Sequence, residues 1–118
     1  MSGIAAIYDS GGGPVSAQAL LPLLEAIDHR GPQKAMWLGE GVALGQRLLP
    51  TTPEAASEGL PIRVAVENYQ LALDGRIDNR EDVAVSLGID LRHELVTDAD
   101  LIVYAYDRWG LDCVQHLV

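Results

Sequence analysis

The stretch MSGIAAIYD, residues 1–9, sets the expectation for the fold because it places an apolar run at the start of the chain. Six residues from Gly3 to Tyr8 are apolar or small. Asp9, Ser10 and three glycines then follow, which is the composition of a turn. A short apolar run bounded by turn residues predicts a buried strand that ends in a mobile turn. We therefore expect the chain to begin inside the core.

The next segment predicts a helix. Ser16 is a suitable N-cap, and apolar residues recur behind it at helical spacing. These residues are Ala17, Leu20, Leu21, Leu24 and Ile27. Pro22 lies inside this pattern, where it costs about 3 kcal/mol. We expect the helix either to kink at Pro22 or to begin later than Ser16.

The middle of the chain has strand-like patterns. Residues 35–49 predict two strands around a turn at Gly39–Gly41. A second hairpin is predicted by two alternating runs with a turn at Glu67–Asn68 between them. Its inward positions are Ile62, Val64, Val66, Tyr69, Leu71 and Leu73.

Two further helices are predicted towards the end. Asn79 is placed to cap a short helix that Gly88 ends. Thr97 with Asp100 has the pattern of a capping box for a third helix, which Gly110 ends. Strands in the middle with helices at both ends of the sequence predict an α+β fold with antiparallel sheets.

Composition excludes several classes of protein. A chain of 118 residues with 48% hydrophobic positions suits one domain. Its net charge of −9 makes nucleic acid and anionic lipid unlikely partners. The sequence contains neither a membrane-spanning run nor a signal-peptide pattern, so we expect a cytoplasmic protein. The one cysteine, Cys113, and the three histidines lack metal-ligand spacing, so we expect no metal site.

Five segments, in order and in register, carry a family resemblance. They read MSGIAAIYD (1–9), HRGP (29–32), GQRL (45–48), LDGRIDN (73–79) and the stretch 97–110. Together they resemble the class II glutamine amidotransferase domain that begins asparagine synthetases. This resemblance implies an αββα sandwich of antiparallel sheets, of the N-terminal-nucleophile hydrolase type. The family domain is longer, and Leu111–Val118 begins a helical turn that has no stop signal. We therefore expect residues 1–118 to be a single domain truncated at its C-terminus.

The resemblance implies a catalytic site in which two positions are changed. In the family, the residue after Met1 is a cysteine that attacks glutamine, and its α-amino group is the base; this chain has Ser2 there. The family also places an asparagine and a glycine at the oxyanion hole, where this chain has Asp74 and Gly75. An ionised aspartate accepts hydrogen bonds and cannot donate them, and its charge opposes a forming oxyanion. We predict that these positions no longer support hydrolysis.

Two more positions match the family's substrate-binding residues. Arg47 corresponds to the residue that binds the α-carboxylate of glutamine, and Asp98 to the residue that binds its α-amino group. Arg47 could equally form a surface ion pair, and Asp98 could cap its helix. His29 and Arg30 belong to the HRGP motif. His29 is interpreted as structural, and no role is assigned to Arg30.

Three hypotheses follow. The first is a degenerate glutaminase-like scaffold within an asparagine-synthetase-like, ATP-dependent ligase. The sequence most resembles those of lasso-peptide cyclases. ATP and magnesium would then bind a synthetase domain, and no cofactor is expected in this chain. The alternative is a working amidotransferase domain that supplies ammonia for asparagine synthesis. The third is an interaction module whose uncovered apolar sheet face binds the missing half of the domain, the synthetase domain or a second copy of the chain.

Overall fold

The strand predicted at the start of the chain is present in a three-stranded antiparallel sheet, but the prediction that it is buried is wrong: it is an edge strand, and its Ile4 and Tyr8 are 52% and 80% exposed. In the computed structural model, β1 is Gly3–Tyr8, β2 is Gln33–Leu38 and β3 is Val42–Leu48. The strand order is β1-β3-β2, so β3 is the central strand. The structure describes residues 2–51, 53, 56, 62, 63 and 69–118. The chain forms two compact units: the first consists of residues 1–51 and 59–75, the second of residues 52–58 and 76–118.

The strand register gives the sheet two distinct faces. Gly3 pairs with Arg47 and Ile4 pairs with Gln46. Because side chains alternate along a strand, these two pairs lie on opposite faces. Odd-numbered residues of β1 and β3 form the helix face, where Ala43 is fully buried. Even-numbered residues of β1 and β3 lie on the opposite side of the sheet, which we call the open face.

One helix covers the helix face. α1 is Ala17–Ala26, and the Ser16 hydroxyl oxygen accepts a hydrogen bond from the Ala19 N–H at 3.3 Å, which confirms the predicted cap. The helix is continuous through Pro22, so the alternative of a later start is wrong. Leu20 and Leu24 are fully buried against the sheet. Such close packing needs a glycine below Leu24, since a Cβ on Gly45 would lie 2.8 Å from its methyl groups.

The second predicted hairpin is described in part, and its second strand is shorter than predicted. β4 is Ile62–Arg63 and β5 is Gln70–Leu71, and the two strands pair antiparallel. Tyr69 and Leu73 lie outside β5. The predicted strand positions Val64 and Val66 and the turn at 67–68 lie outside the described residues. The strand pairing is therefore confirmed at two positions of each strand.

The first helix of the second unit differs from its prediction at the cap. α2 is Arg80–Leu87, and Gly88 ends it in the left-handed conformation at φ +75°. Asn79 occupies the N-cap position, but its side chain does not cap the helix. Its amide donates to the His116 carbonyl at 2.8 Å and accepts from the Val118 N–H at 2.9 Å. Asn79 has ψ 38° rather than the extended backbone typical of a capping residue, so its side chain bonds elsewhere.

The last helix confirms its predicted start and stop. α3 is Asp98–Trp109, preceded by a capping box of Thr97 and Asp100 and ended by Gly110. A 3₁₀ helix follows at Gly110–Gln115, and Cys113 is buried within it. The core of this unit is formed by Ile77, Val83, Ala84, Val96 and Leu101.

Helices and small antiparallel sheets together make the chain α+β, as predicted. No helix among the described residues has both the length and the apolar character required to cross a bilayer. Within the same residues, no cluster of three or more histidine, cysteine, aspartate or glutamate side chains could hold a metal ion.

Candidate functional site

Ser2 lies immediately before β1, and its backbone is bonded on both sides. The residue is 8% exposed. Its N–H donates to Oδ1 of Asp74 at 3.0 Å, and its carbonyl oxygen accepts from Nε of Arg30 at 2.7 Å. The predicted nucleophile position and the predicted oxyanion position are therefore in direct contact.

Arg30 completes this contact. Its Nη2 donates to Oδ2 of Asp74 at 3.1 Å, so Ser2, Asp74 and Arg30 form a closed triangle of hydrogen bonds. The Arg30 and Asp74 side chains are 31% and 30% exposed. Partial burial keeps a charge-assisted pair less screened by water than an ordinary surface ion pair. Both carboxylate oxygens of Asp74 are thus occupied by donors from the same chain.

Gly31 explains why Arg30 reaches this position. Arg30 ends a short 3₁₀ helix, Asp28–Arg30, and the backbone at Gly31 then passes directly over the end of β3. A Cβ on Gly31 would lie 2.3 Å from the backbone carbon of Leu48. This approach is possible only for a residue without a side chain. The HRGP motif therefore supplies an arginine together with the glycine that positions it.

Gln46 positions the segment that carries Asp74. The Gln46 side chain is 1% exposed and lies on the open face of β3. Its Oε1 accepts from the Leu73 N–H at 3.2 Å, and its Nε2 donates to the Leu73 carbonyl. The side-chain amide thus bonds both backbone groups of the residue before Asp74 and Gly75. Sequence reasoning missed Gln46, although it is the one polar residue among the alternate positions Val42, Leu44, Gln46 and Leu48 of β3, which was a usable signal.

Removing the Gln46 amide should destabilise the first unit. In Gln46→Leu, both backbone groups of Leu73 lose their partner, and each unmet buried group costs about 1–3 kcal/mol. We expect a clear fall in the midpoint of urea unfolding. Gln46→Glu is a second variant: it keeps an acceptor for the Leu73 N–H but buries a carboxylate against the Leu73 carbonyl oxygen, so we expect a loss at least as large as that of Gln46→Leu. An unchanged midpoint for Gln46→Leu would contradict this role.

Arg47 is bonded to the helix that packs on the sheet. It lies on the helix face of β3, where its Nε donates to the Leu24 carbonyl oxygen of α1 at 3.1 Å. Its neighbour Gln46 occupies the face that bonds the segment before Asp74. The substrate-binding role suggested for Arg47 stays a prediction.

Asp98, in the second unit, is also held by its own chain. Its Oδ2 accepts from the Ile77 N–H at 3.0 Å, and its Oδ1 forms an ion pair with Nη1 of Arg80. Nη2 of Arg80 donates in turn to the Val96 carbonyl at 2.7 Å. The helix cap is provided by Thr97 and Asp100, so the suggestion that Asp98 caps α3 is wrong. Through its hydrogen bond to Ile77, the Asp98 carboxylate instead connects the segment before α2 with the start of α3.

Breaking this ion pair should cost more than breaking an exposed one. In Arg80→Ala the Asp98 carboxylate, 15% exposed, loses its cation, and we expect a loss of about 1–3 kcal/mol. Arg76→Ala is the matched control, because the Arg76–Asp78 pair is 77% and 59% exposed and should contribute about 0.5 kcal/mol or less. Urea unfolding of the two variants measures the difference. Equal losses would show that the Asp98 network does not stabilise the fold.

The triangle determines which chemistry is open to this site. A carboxylate at residue 74 offers acceptors, and both of its oxygens already bind N–H groups. It can hold a cation or an N–H donor in place. It cannot donate a hydrogen bond to a carbonyl oxygen that gains negative charge during acyl transfer. Gly75 follows directly, and the oxyanion-hole position suggested for it stays a prediction.

A comparison with known families identifies the family of the chain. The family model described as "Glutamine amidotransferase domain" matches residues 1–118. The chain therefore belongs to the glutamine amidotransferase domain family. No curated protein and no solved structure gives a significant match.

Proposed function

We propose that this domain has lost glutamine hydrolysis and serves as a scaffold in an asparagine-synthetase-like ligase that forms amide bonds with ATP. The observation that carries the proposal is the Asp74 carboxylate, which accepts from the Ser2 N–H and forms an ion pair with Arg30. A ligase of the lasso-peptide cyclase type activates a carboxylate and lets an amine of its own substrate attack it. Such an enzyme needs no ammonia from glutamine, so its amidotransferase domain can lose the nucleophile.

Two parts of glutaminase chemistry are affected by the same carboxylate. A base at the Ser2 α-amine must be neutral to accept a proton, whereas an adjacent carboxylate favours the protonated amine. The oxyanion of the tetrahedral intermediate needs N–H donors, whereas Asp74 presents negative charge. A serine hydroxyl also has no thiolate fraction and depends entirely on that base. Each of these three changes lowers the rate of glutamine hydrolysis. Asp74 contributes to the first two, the protonated amine and the unstabilised oxyanion.

The wider assignment follows from this proposal. We infer that the chain has the αββα arrangement of N-terminal-nucleophile hydrolases and acts in the cytoplasm. ATP and magnesium would bind the synthetase domain rather than these residues. Its partner would be a synthetase domain, the remainder of the sandwich or a second copy of the chain. It would bind neither nucleic acid nor a membrane.

An electrophilic glutamine analogue tests the proposal at the nucleophile position. The Ser2→Cys variant, produced so that it begins at residue 2, is incubated with 6-diazo-5-oxo-L-norleucine, and its intact mass is measured. We expect no covalent adduct at residue 2, because neither the base nor the oxyanion donor is in place. Cys113, which is buried, is the internal control for non-specific alkylation. Stoichiometric labelling at residue 2 that excess glutamine prevents would refute the proposal.

The open face of the sheet supports the proposed partner. Ile4 and Tyr8 on this face are 52% and 80% exposed. Exposed apolar side chains in a row favour association. We expect the isolated chain to associate in light scattering, and Ile4→Thr combined with Tyr8→Thr to reduce it. A monodisperse wild-type monomer with a sharp melting transition would contradict this expectation.

A further inference from the structure

The contact between Asp74 and the Ser2 nitrogen has a consequence for the N-terminus of the chain. The donor is the backbone nitrogen of residue 2, 3.0 Å from a carboxylate oxygen. With Met1 attached, this nitrogen is a neutral amide with one hydrogen. In a chain that begins at Ser2, the same nitrogen is an α-ammonium group with three hydrogens and a positive charge. We propose that Asp74 and Arg30 form a binding site for the chain's own α-ammonium at Ser2, so that removal of Met1 stabilises the triangle.

The geometry suits an ammonium better than an amide. Oδ1 of Asp74 faces the Ser2 nitrogen, while Oδ2 faces Arg30, so the two cations bind different oxygens of one carboxylate. Arg30 is also fixed by its bond to the Ser2 carbonyl oxygen. The amide N–H already forms a charge-assisted hydrogen bond with the carboxylate, and an ammonium adds the direct attraction between two opposite charges. With Ser2 at 8% exposure, water screens this contact less than it screens a surface pair.

Among the described residues of β3, α1 and the short 3₁₀ helix, no other carboxylate bonds this nitrogen. From β3, Arg47 lies on the helix face and bonds the Leu24 carbonyl. The charged or titratable side chains of α1 and the following 3₁₀ helix, apart from Arg30, are all exposed: Glu25, Asp28 and His29. Arg30 itself opposes a second cation, but it is already paired with Oδ2. The charge balance therefore depends on Asp74.

The direction of the pH dependence follows from linkage. We expect the Asp74 carboxylate to raise the pKa of the α-amine above its ordinary value of about 7.7–8.0, against the opposing effects of burial and of Arg30. A raised pKa in the folded state contributes stability that is fully present below the ordinary pKa. This stability is lost as the pH rises through the folded-state pKa. The inference does not rest on the proposed function, since it concerns stability and charge rather than glutamine.

Three forms of the same chain test the inference. One begins at Ser2, one retains Met1, and one begins at Ser2 with an acetylated amine that keeps an N–H donor without the charge. We expect the first to melt at least about 3 °C above the other two near pH 6.5, with the difference disappearing above about pH 10. Asp74→Asn should abolish the difference. Equal melting of all three forms, or a difference that persists in Asp74→Asn, would overturn the inference.

A titration provides a measurement that does not depend on how well a variant folds. The ¹⁵N shift of the Ser2 α-amine is followed against pH in the chain that begins at Ser2 and in a free Ser-Gly-Ile peptide. We expect the midpoint in the folded chain to lie above that of the peptide; a midpoint at or below it would refute the inference. Ammonia release from glutamine tests the proposed function. Whether ammonia is released or not, the expected titration midpoint of the Ser2 α-amine is the same.

Discussion

The Gly31→Ala variant is expected to lose the native first unit. A methyl group at this position would lie 2.3 Å from the backbone carbon of Leu48 and 2.4 Å from its oxygen, both in the central strand β3. Backbone atoms of a paired strand cannot move without breaking the ladder, so the clash is not relieved by a rotamer change. Overpacking of this kind costs upward of about 3 kcal/mol, a large part of the stability of a small domain. Far-UV circular dichroism during urea unfolding measures this loss.

Gly88→Ala is the matched control for this prediction. Gly88 has a positive φ of +75° at the end of α2, but no atom lies within 4 Å of its added Cβ. The substitution therefore costs about 1 kcal/mol of backbone strain with no steric clash. If Gly31→Ala unfolds at the same urea concentration as Gly88→Ala, the close approach of the HRGP segment to β3 is not what holds Arg30.

Ser2→Cys combined with Asp74→Asn is expected to gain glutamine hydrolysis relative to Ser2→Cys alone. The side-chain amide introduced at position 74 would provide an N–H donor and remove the negative charge from the oxyanion position. The α-amine would also lose the carboxylate that favours its protonated form. Restoring one oxyanion donor is worth about 100- to 1,000-fold in rate. Ammonia release by chains that begin at residue 2 measures the gain.

Two controls separate this effect from a general change in stability. Asp78→Asn in the Ser2→Cys background removes an exposed carboxylate in the second unit and should leave ammonia release unchanged. Asp74→Ala removes the charge without adding a donor, and we expect it to recover less activity than Asp74→Asn. Equal rates for Asp74→Asn and Asp74→Ala would mean that charge, rather than a missing donor, limits the site.

Much of the fold could be predicted from local signals in the sequence. The β1 run, the Ser16 cap, the turn before β3, Gly88 and the Thr97 capping box each depend on neighbouring residues, and each is present. Asn79 shows where this approach fails. Its side chain had a suitable place in the sequence, but its bonds to residues 116 and 118 depend on the path of the chain 37 residues later.

The site was harder to predict because its key contacts join distant segments. Ser2 and Asp74 were identified as altered positions, yet their hydrogen bond spans 72 residues of sequence. Arg30 received no role, because a motif position does not reveal that the guanidinium bonds both of these residues. The face on which Arg47 lies depends on the register of β3, because neighbouring residues of a strand point to opposite faces of the sheet. Only the register of β3 with β1 decides this.

Ammonia release from glutamine by the chain that begins at Ser2, and by its Ser2→Cys variant, tests the central claim most directly. With the oxyanion position filled by a carboxylate paired to Arg30, both forms should release ammonia no faster than a protein-free blank. Steady turnover by either form, saturable in glutamine, would contradict the account and favour a working amidotransferase domain.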